Sequence, residues 1–160
     1  MAQVLVGHRP GRVWQVGLTD LIVDFNLRDG RWLHISTDPV RLGLYLSQRG
    51  PREMRGATRT DTGFVSLWRK HLEGLKLIGI EPLGYDRVVH FSFGDGEGER
   101  RRVVVALTGR TANMYLLAGN ELLAELRERE GPTATYSDPP PPTDRLDPLN
   151  CPPDVISSLL

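Results

Sequence analysis

The sequence predicts an α+β domain: an antiparallel β-sheet or sandwich with one main helix over 62–74, followed by a proline-rich linker. Three observations predict it. Apolar and polar residues alternate along much of the first fifty residues and again after residue 76, which is the period of half-buried strands. Between Phe64 and Leu75 the period changes once, to helical spacing. Beyond Gly131 the periodicity stops and prolines accumulate, with Pro139 to Pro142 consecutive, as in an extended polyproline-like segment.

Taken in order, Arg12-Val13-Trp14-Gln15-Val16 is β-prone. Leu21, Val23, Phe25 and Leu27 then alternate with Ile22, Asp24 and Asn26. Arg28-Asp29-Gly30-Arg31 reads as a hairpin turn of the Asp-Gly type. Leu33 and Ile35 alternate with Trp32, His34 and Ser36, and Leu42, Leu44 and Leu46 with Gly43, Tyr45 and Ser47. Together these make an antiparallel meander. The next segment carries Arg49, Arg52, Arg55 and Arg59 among Gly and Pro, without hydrophobic period, and reads as a basic loop.

Phe64, Leu67, Trp68, His71, Leu72 and Leu75 form one apolar helical stripe, with Ser66, Arg69, Lys70 and Glu73 opposite. Asp61 or Thr62 caps the start and Gly74 ends the helix. Strand patterns resume over Leu77–Ile80, Arg87–Phe93, Arg102–Leu107 and Met114–Leu117, with a hairpin loop at Gly94-Asp95-Gly96-Glu97-Gly98. Residues 121–130 fit a short helix or a closing strand equally well. The expected organisation is one domain over 1–131, then a proline-rich linker and the start of a truncated continuation over 132–160.

Composition narrows the function classes. Twenty basic and twenty acidic residues cancel, which excludes a uniformly charged nucleic-acid coat. The cancellation hides an asymmetry: net zero over 1–40, net +5 over 41–76 and net −5 over 77–160. A basic stretch of this kind can steer an anionic partner. Arginine outnumbers lysine 18 to 2, a skew that suits phosphate and base contacts and that a GC-rich genome also produces. The single cysteine, Cys151, excludes an intramolecular disulfide and a multi-cysteine metal site. No apolar run reaches membrane-spanning length and no secretory signal is visible at the start, so a cytoplasmic protein is expected.

No catalytic chemistry is legible. His8, His34, His71 and His90 lack metal-ligand spacing, and His71 reads as a packed core histidine. No serine sits in a G-x-S-x-G elbow, and the glycines at 94, 96 and 98 precede a charged run rather than a helix. The expectation is a binding protein and not an enzyme, without catalytic residue, metal or cofactor. Trp14, Trp32 and Trp68 read as core or sheet-face packing rather than base-stacking platforms.

Three ordered segments carry a resemblance. Phe64-Val65-Ser66-Leu67-Trp68-Arg69-Lys70-His71-Leu72-Glu73-Gly74 is followed by Ile80-Glu81-Pro82-Leu83-Gly84-Tyr85-Asp86-Arg87, and then by Val103-Val104-Val105-Ala106-Leu107-Thr108-Gly109-Arg110-Thr111-Ala112-Asn113. In this order and spacing they resemble the N-terminal domain of the NFACT family, the RqcH-like ribosome quality-control factors formerly labelled fibronectin-binding protein A. The resemblance covers roughly residues 5–148. It implies a fold similar to the N-terminal domain of formamidopyrimidine-DNA glycosylases, whose N-terminal proline nucleophile has no counterpart in Met1-Ala2.

The resemblance also implies a function: a tRNA- and rRNA-binding domain acting on obstructed large ribosomal subunits. In the full-length bacterial protein it supports C-terminal alanine tailing with alanyl-tRNA as partner. Asp86 and Arg87 would be the family's tRNA-engaging pair. From the residues themselves, Pro82 and Gly84 supply a bend at which both can face one ligand. Arg69, Lys70 and Arg110 complete the candidate nucleic-acid-binding set. The family's acidic-aliphatic-methionine step before Gly-Arg is here Ala106, Leu107 and Thr108. Only Gln3–Gly7 matches the helix that members carry before the first strand, and the family's later modules are missing, so a fragment or reduced protein is expected. The alternatives are a fibronectin- or matrix-binding adhesion module and a glycosylase-like nucleic-acid enzyme.

Overall fold

The computed structural model describes residues 1–55, 57–58, 62–84, 87–129 and 134–140. It contains two five-stranded antiparallel sheets and one long helix. After a single turn of helix, α1 (Ala2–Leu5), the chain forms β1 (Val13–Val16), β2 (Asp20–Val23), β3 (Trp32–Ser36) and β4 (Gly43–Ser47). These strands follow one another as a meander, and the short β5 (Ala57–Thr58) adds beside β1. Helix α2 (Gly63–Leu72) leads into the second sheet. That sheet is a complete meander: β6 (Lys76–Pro82), β7 (Val88–Gly94), β8 (Arg100–Ala106), β9 (Asn113–Ala118) and β10 (Glu121–Glu125).

The expected α+β class is what forms. Residues with a spacing of two lie on one face of each strand. In the first sheet Val13, Leu21, Val23, Leu33 and Ile35 face inward; in the second, Leu77, Phe91, Phe93, Val103, Val105, Met114 and Leu116 do. Both apolar faces meet the buried stripe of α2, namely Phe64, Val65, Trp68 and Leu72, in one continuous core. Helix α2 touches β1 and β10, so it links the two sheets. Leu5 of α1 is also buried in this core, and the backbone of Gly7 and His8 pairs with Leu77.

Thr62 caps α2. Its hydroxyl accepts the Val65 amide at 3.4 Å and donates to Oε1 of the buried Gln15 at 2.5 Å, tying the helix start to β1. The other cap candidate, Asp61, lies outside the described residues. His71 is half-buried on the α2 stripe, and desolvation, then the positive charges of Arg101 and Lys70, push its pKa below the usual imidazole value. The ambiguous 121–130 segment resolves as the closing strand β10, because Leu122 and Leu117 pair across β9 and β10.

The second sheet is apolar on both faces. Val88, Val104, Ala106, Tyr115 and Leu117 form a separate cluster on its outer side. Within the expected linker, 132–160, Tyr136 packs against this cluster. Thr135 bridges to Glu121, the Tyr136 amide donates to the Asn120 carbonyl at 3.1 Å, and the Tyr136 ring packs 4.7 Å from that of Tyr115. His90 Nε2 sits 2.9 Å from Asp138 Oδ1. The segment is extended, as its prolines require, but uncovered Val104 and Leu117 would leave an apolar patch in water, and the strap covers it. Residues 141–160, with the rest of the proline run, lie outside the described residues.

Candidate nucleic-acid interface

The interface is built at one end of the second sheet. β6 ends at Pro82, which cannot donate to a ladder. Gly84 turns the chain with φ +55°, a left-handed conformation that favours glycine. The Leu83 amide donates to the Val88 carbonyl at 2.8 Å and closes the hairpin between β6 and β7. Arg87 follows immediately, and its carbonyl accepts the Leu107 amide at 2.7 Å. Asp86, the other half of the expected pair, lies outside the described residues.

Beyond β8 the chain makes a single 3-10 turn, Gly109–Thr111, with Gly109 at φ +71°. Ala112 closes this turn by donating its amide to the Gly109 carbonyl at 3.1 Å. Thr108 and Thr111 hydroxyls lie 3.1 Å apart across it. The turn exposes Arg110 at the same end of the sheet as Arg87. Among the described residues neither arginine makes an ion pair or side-chain hydrogen bond, so both guanidinium forks are available to an incoming acceptor.

The structure does not bring Arg69 and Lys70 to this place. The chain leaves α2, enters β6 at Lys76 and runs seven residues to Pro82 before reaching the Arg87 hairpin. At roughly 3.3 Å per residue that is about 20 Å. Lys70 precedes His71 on α2, and the charges of Lys70 and of Arg101 in β8 both act on that histidine. Arg69 Nη2 instead donates to the Val13 carbonyl at 3.4 Å and lines a cleft with Pro10, Arg12 and Trp14 on the first sheet. The five expected residues therefore divide into an Arg87/Arg110 end and an Arg69/Lys70 side, with Asp86 undescribed.

Beside Arg110 lies a cleft of about 640 Å³ on the outer face of the second sheet, walled by Asn113, Tyr115, Arg127, Arg129 and Tyr136. The Arg129 guanidinium lies 5.2 Å from the Tyr115 ring centre. Arg127 is held by its side chain on the Ala112 carbonyl, while its amide donates to Asn113 Oδ1 at 2.9 Å. Burial, then the neighbouring Asp138 carboxylate, pushes the Tyr136 phenol up to about 12, so the ring stays neutral and hydrogen-bonding. Sequence reasoning missed Tyr115, Tyr136, Arg127 and Arg129. Their only sequence signal was an Arg-x-Arg pair next to a segment that could have been helix or strand. Among the described residues no group of three His, Cys, Asp or Glu side chains could hold a metal ion, and no helix is long and apolar enough to cross a membrane.

Comparison with known proteins bears on this geometry. The profile of the NFACT N-terminal and middle domains matches residues 1–160. Ribosome quality control complex subunit 2 of Schizosaccharomyces pombe is 25% identical over 100 residues, covering 62% of this chain and 9% of the relative. The crystal structure of the N-terminal domain of the fibronectin-binding protein PavA from Streptococcus pneumoniae superposes with a TM-score of 0.78 at 18% identity, covering 99% of this chain and 63% of that one. The N-terminal part of the fibronectin/fibrinogen-binding protein of Streptococcus suis gives 0.76 at 19%, with 98% and 63% covered. The fibrinogen binding protein of Staphylococcus aureus gives 0.70 at 21%, with 92% and 55% covered. At these identities the solved structures establish the fold. This chain spans less than two thirds of each of these proteins. The profile match over its whole length establishes more: the chain belongs to the NFACT family.

Proposed function

We propose that this chain is an RNA-binding domain of a cytoplasmic ribosome quality-control factor. It engages tRNA, with alanyl-tRNA as the expected partner, on obstructed large ribosomal subunits. In a full-length protein it would support C-terminal alanine tailing. The role is binding, not catalysis. The observation that carries the reading is the pair Arg87 and Arg110, exposed at one end of the second sheet without an ion-pair partner among the described residues. Arginine forks hold phosphate bidentately and stack on bases. The adjoining cleft adds Arg127, Arg129 and two tyrosine rings, the side chains that single-stranded RNA uses. The Schizosaccharomyces pombe relative is named for ribosome quality control, which points the same way. Asp86 is proposed as the partner of Arg87, accepting from an exocyclic amine or a ribose hydroxyl.

The test is a titration of the chain with tRNA at low salt, alongside a pull-down with large ribosomal subunits. Binding that weakens in Arg87→Ala and Arg110→Ala supports the reading; no binding to either partner sinks it. A second reading, a module that binds a matrix protein, draws on the names of the streptococcal structures. Saturable binding to immobilised fibronectin, in the absence of tRNA binding, would favour it.

A further inference from the structure

The first sheet carries a second aromatic face that the reading above does not use. Strand alternation sends Val13, Leu33 and Ile35 into the core, so their neighbours Trp14, Trp32 and His34 point outward. Trp14, Ile22, His34 and Tyr45 stand in one cross-strand row over four strands. Trp14 and Trp32 meet edge to face, ring centres 5.1 Å apart at 69°, while His34 and Tyr45 stack at 5.1 Å and 11°. Tyr45 remains 48% exposed. Trp14 and Trp32 are half-buried while Ile22 and His34 are buried, so the open part of this face is the two indoles and Tyr45.

Topology explains what covers part of that surface. β4 and β5 are the opposite edges of the first sheet. The connection between them must traverse four strand spacings, roughly 19 Å at about 4.8 Å each. Its described part, 48–55, passes the aromatic face. The Arg49 carbonyl lies 2.8 Å from His34 Nε2, and Gly50 lies so close to Trp32 that an added Cβ would sit 3.4 Å from the indole. The result is a cleft of about 820 Å³, with the Trp14 and Trp32 indoles in its wall. Arg12 and Asp24 line one side, and Arg52 and Glu53 the other. Neither Arg12 nor Arg52 makes an ion pair or side-chain hydrogen bond among the described residues. In the wall Asp24 and Glu53 balance the charges of Arg12 and Arg52, and the same connection also carries Arg49 and Arg55.

We propose that this cleft docks an unpaired nucleotide of an RNA, its base against Trp14 and Trp32 and its phosphates on Arg12 and Arg52. The inference rests on the RNA-binding reading and adds a second contact site to it. The chemistry is that of sequence-tolerant single-strand binding: a π-face for the base, which every base can use, and arginine forks for the backbone. Asp24, one of whose oxygens already accepts the Asn26 amide at 2.7 Å, has its other oxygen available for a base amine or a ribose hydroxyl.

The experiment reads intrinsic fluorescence of the 160-residue chain. Trp68 is 3% exposed in the core, so a ligand on the surface quenches Trp14 and Trp32. The chain is titrated with a cytidylate hexaribonucleotide, with cytidine monophosphate and with tRNA. The hexamer is expected to quench saturably, and the paired change Arg12→Ala/Arg52→Ala to weaken it about tenfold or more, the weight of lost charge-assisted contacts. That variant keeps both rings, so the result does not depend on whether a Trp14→Leu/Trp32→Leu variant folds. Arg87→Ala/Arg110→Ala should weaken tRNA binding and leave hexamer quenching unchanged. If the intact chain binds tRNA but the hexamer does not quench, or the Arg12/Arg52 variant binds it undiminished, the cleft proposal falls and the RNA-binding reading stands. If neither RNA binds, both fall. Cytidine monophosphate saturating at the hexamer's concentration would assign the cleft to a free nucleotide, and quenching by an unstructured acidic peptide alone would assign it to protein; either overturns the proposal.

Discussion

Arg87 and Leu107 are joined by a 2.7 Å hydrogen bond from the Leu107 amide to the Arg87 carbonyl. The hairpin that presents Arg87 is thereby fastened to Leu107, just past the end of β8 and three residues before Arg110. The bond uses only backbone atoms, so the guanidinium can be removed without loosening the turn. Arg87→Ala is accordingly expected to leave stability within roughly 0.5 kcal/mol, as surface changes do. It should weaken tRNA binding by about 1.5–3 kcal/mol, the weight of a charge-assisted contact to RNA. Arg110→Ala should behave alike. Thermal melts beside tRNA titrations check both, and a large drop in melting temperature with unchanged affinity per folded molecule would contradict the functional placement.

Salt dependence tests the size of the contact. If three or four arginines engage phosphate, each released counterion steepens the dependence, and a log–log slope of about −2 to −3 follows from roughly −0.7 per single-strand phosphate. Titrations across a series of potassium chloride concentrations measure it. A markedly steeper slope would mean that the arginines of both clefts act on one RNA together. The Arg12→Ala/Arg52→Ala variant would then flatten the slope as well as weaken binding.

Much of this architecture was legible in the residues. The alternation of Leu33 with Trp32 and His34 marked a strand and the face that meets the core, although His34 on the other face is buried as well, and Thr62 before Phe64 marked a capped helix. What alternation cannot show is which sheet a strand joins, because a period of two reports a face and not a neighbour. The Tyr115–Tyr136 contact was illegible for a related reason: a tyrosine among prolines carries no local signal of a distant ring. Residues 121–130 stayed ambiguous because Leu122, Leu123 and Leu126 satisfy either period, and only pairing with β9 decides. The resemblance pointed to Asp86 and Arg87, and only the fold separates Arg87 and Arg110 from Arg69 and Lys70.

His71 makes the domain sensitive to acid. Its pKa is lowered, chiefly by desolvation and then by Arg101 and Lys70, so the folded state binds the proton less readily than the unfolded chain. The sign follows: the stabilisation is present above the unfolded imidazole value of about 6.5 and is lost as pH falls through the lower folded value. His71→Gln should flatten the fall of melting temperature below pH 6.5 relative to the parent. An NMR titration showing the His71 ring protonating at or above its ordinary value would contradict this account.

The strap over the second sheet yields the last prediction. Composition places a boundary at 131, yet Tyr136 packs on Tyr115 and, with Leu83 and Leu122, covers Val104 and Leu117. Two chains ending at 131 and at 140 differ by that cover, by the backbone bonds of 134–136 to β10 and its turn, and by the His90–Asp138 contact. Withdrawing a tyrosine from an apolar surface costs about 1.5–3 kcal/mol for a fully buried ring, less here because Tyr136 is only partly buried. The lost ring pair adds about 0.5–1.5 kcal/mol. A deficit of about 2 kcal/mol is therefore expected for the shorter chain, with faster amide exchange at the β9–β10 edge where Tyr136 and Thr135 attach. In a domain of this size that lowers the melting temperature by about 5 °C. Tyr136→Ala in the longer chain should reproduce most of the loss, whereas Tyr136→Phe should reproduce only the part owed to the hydroxyl's hydrogen bond with Asp138, because the ring makes the apolar contact. Equal melting temperatures for the two lengths would show that the strap rests on the sheet without stabilising it.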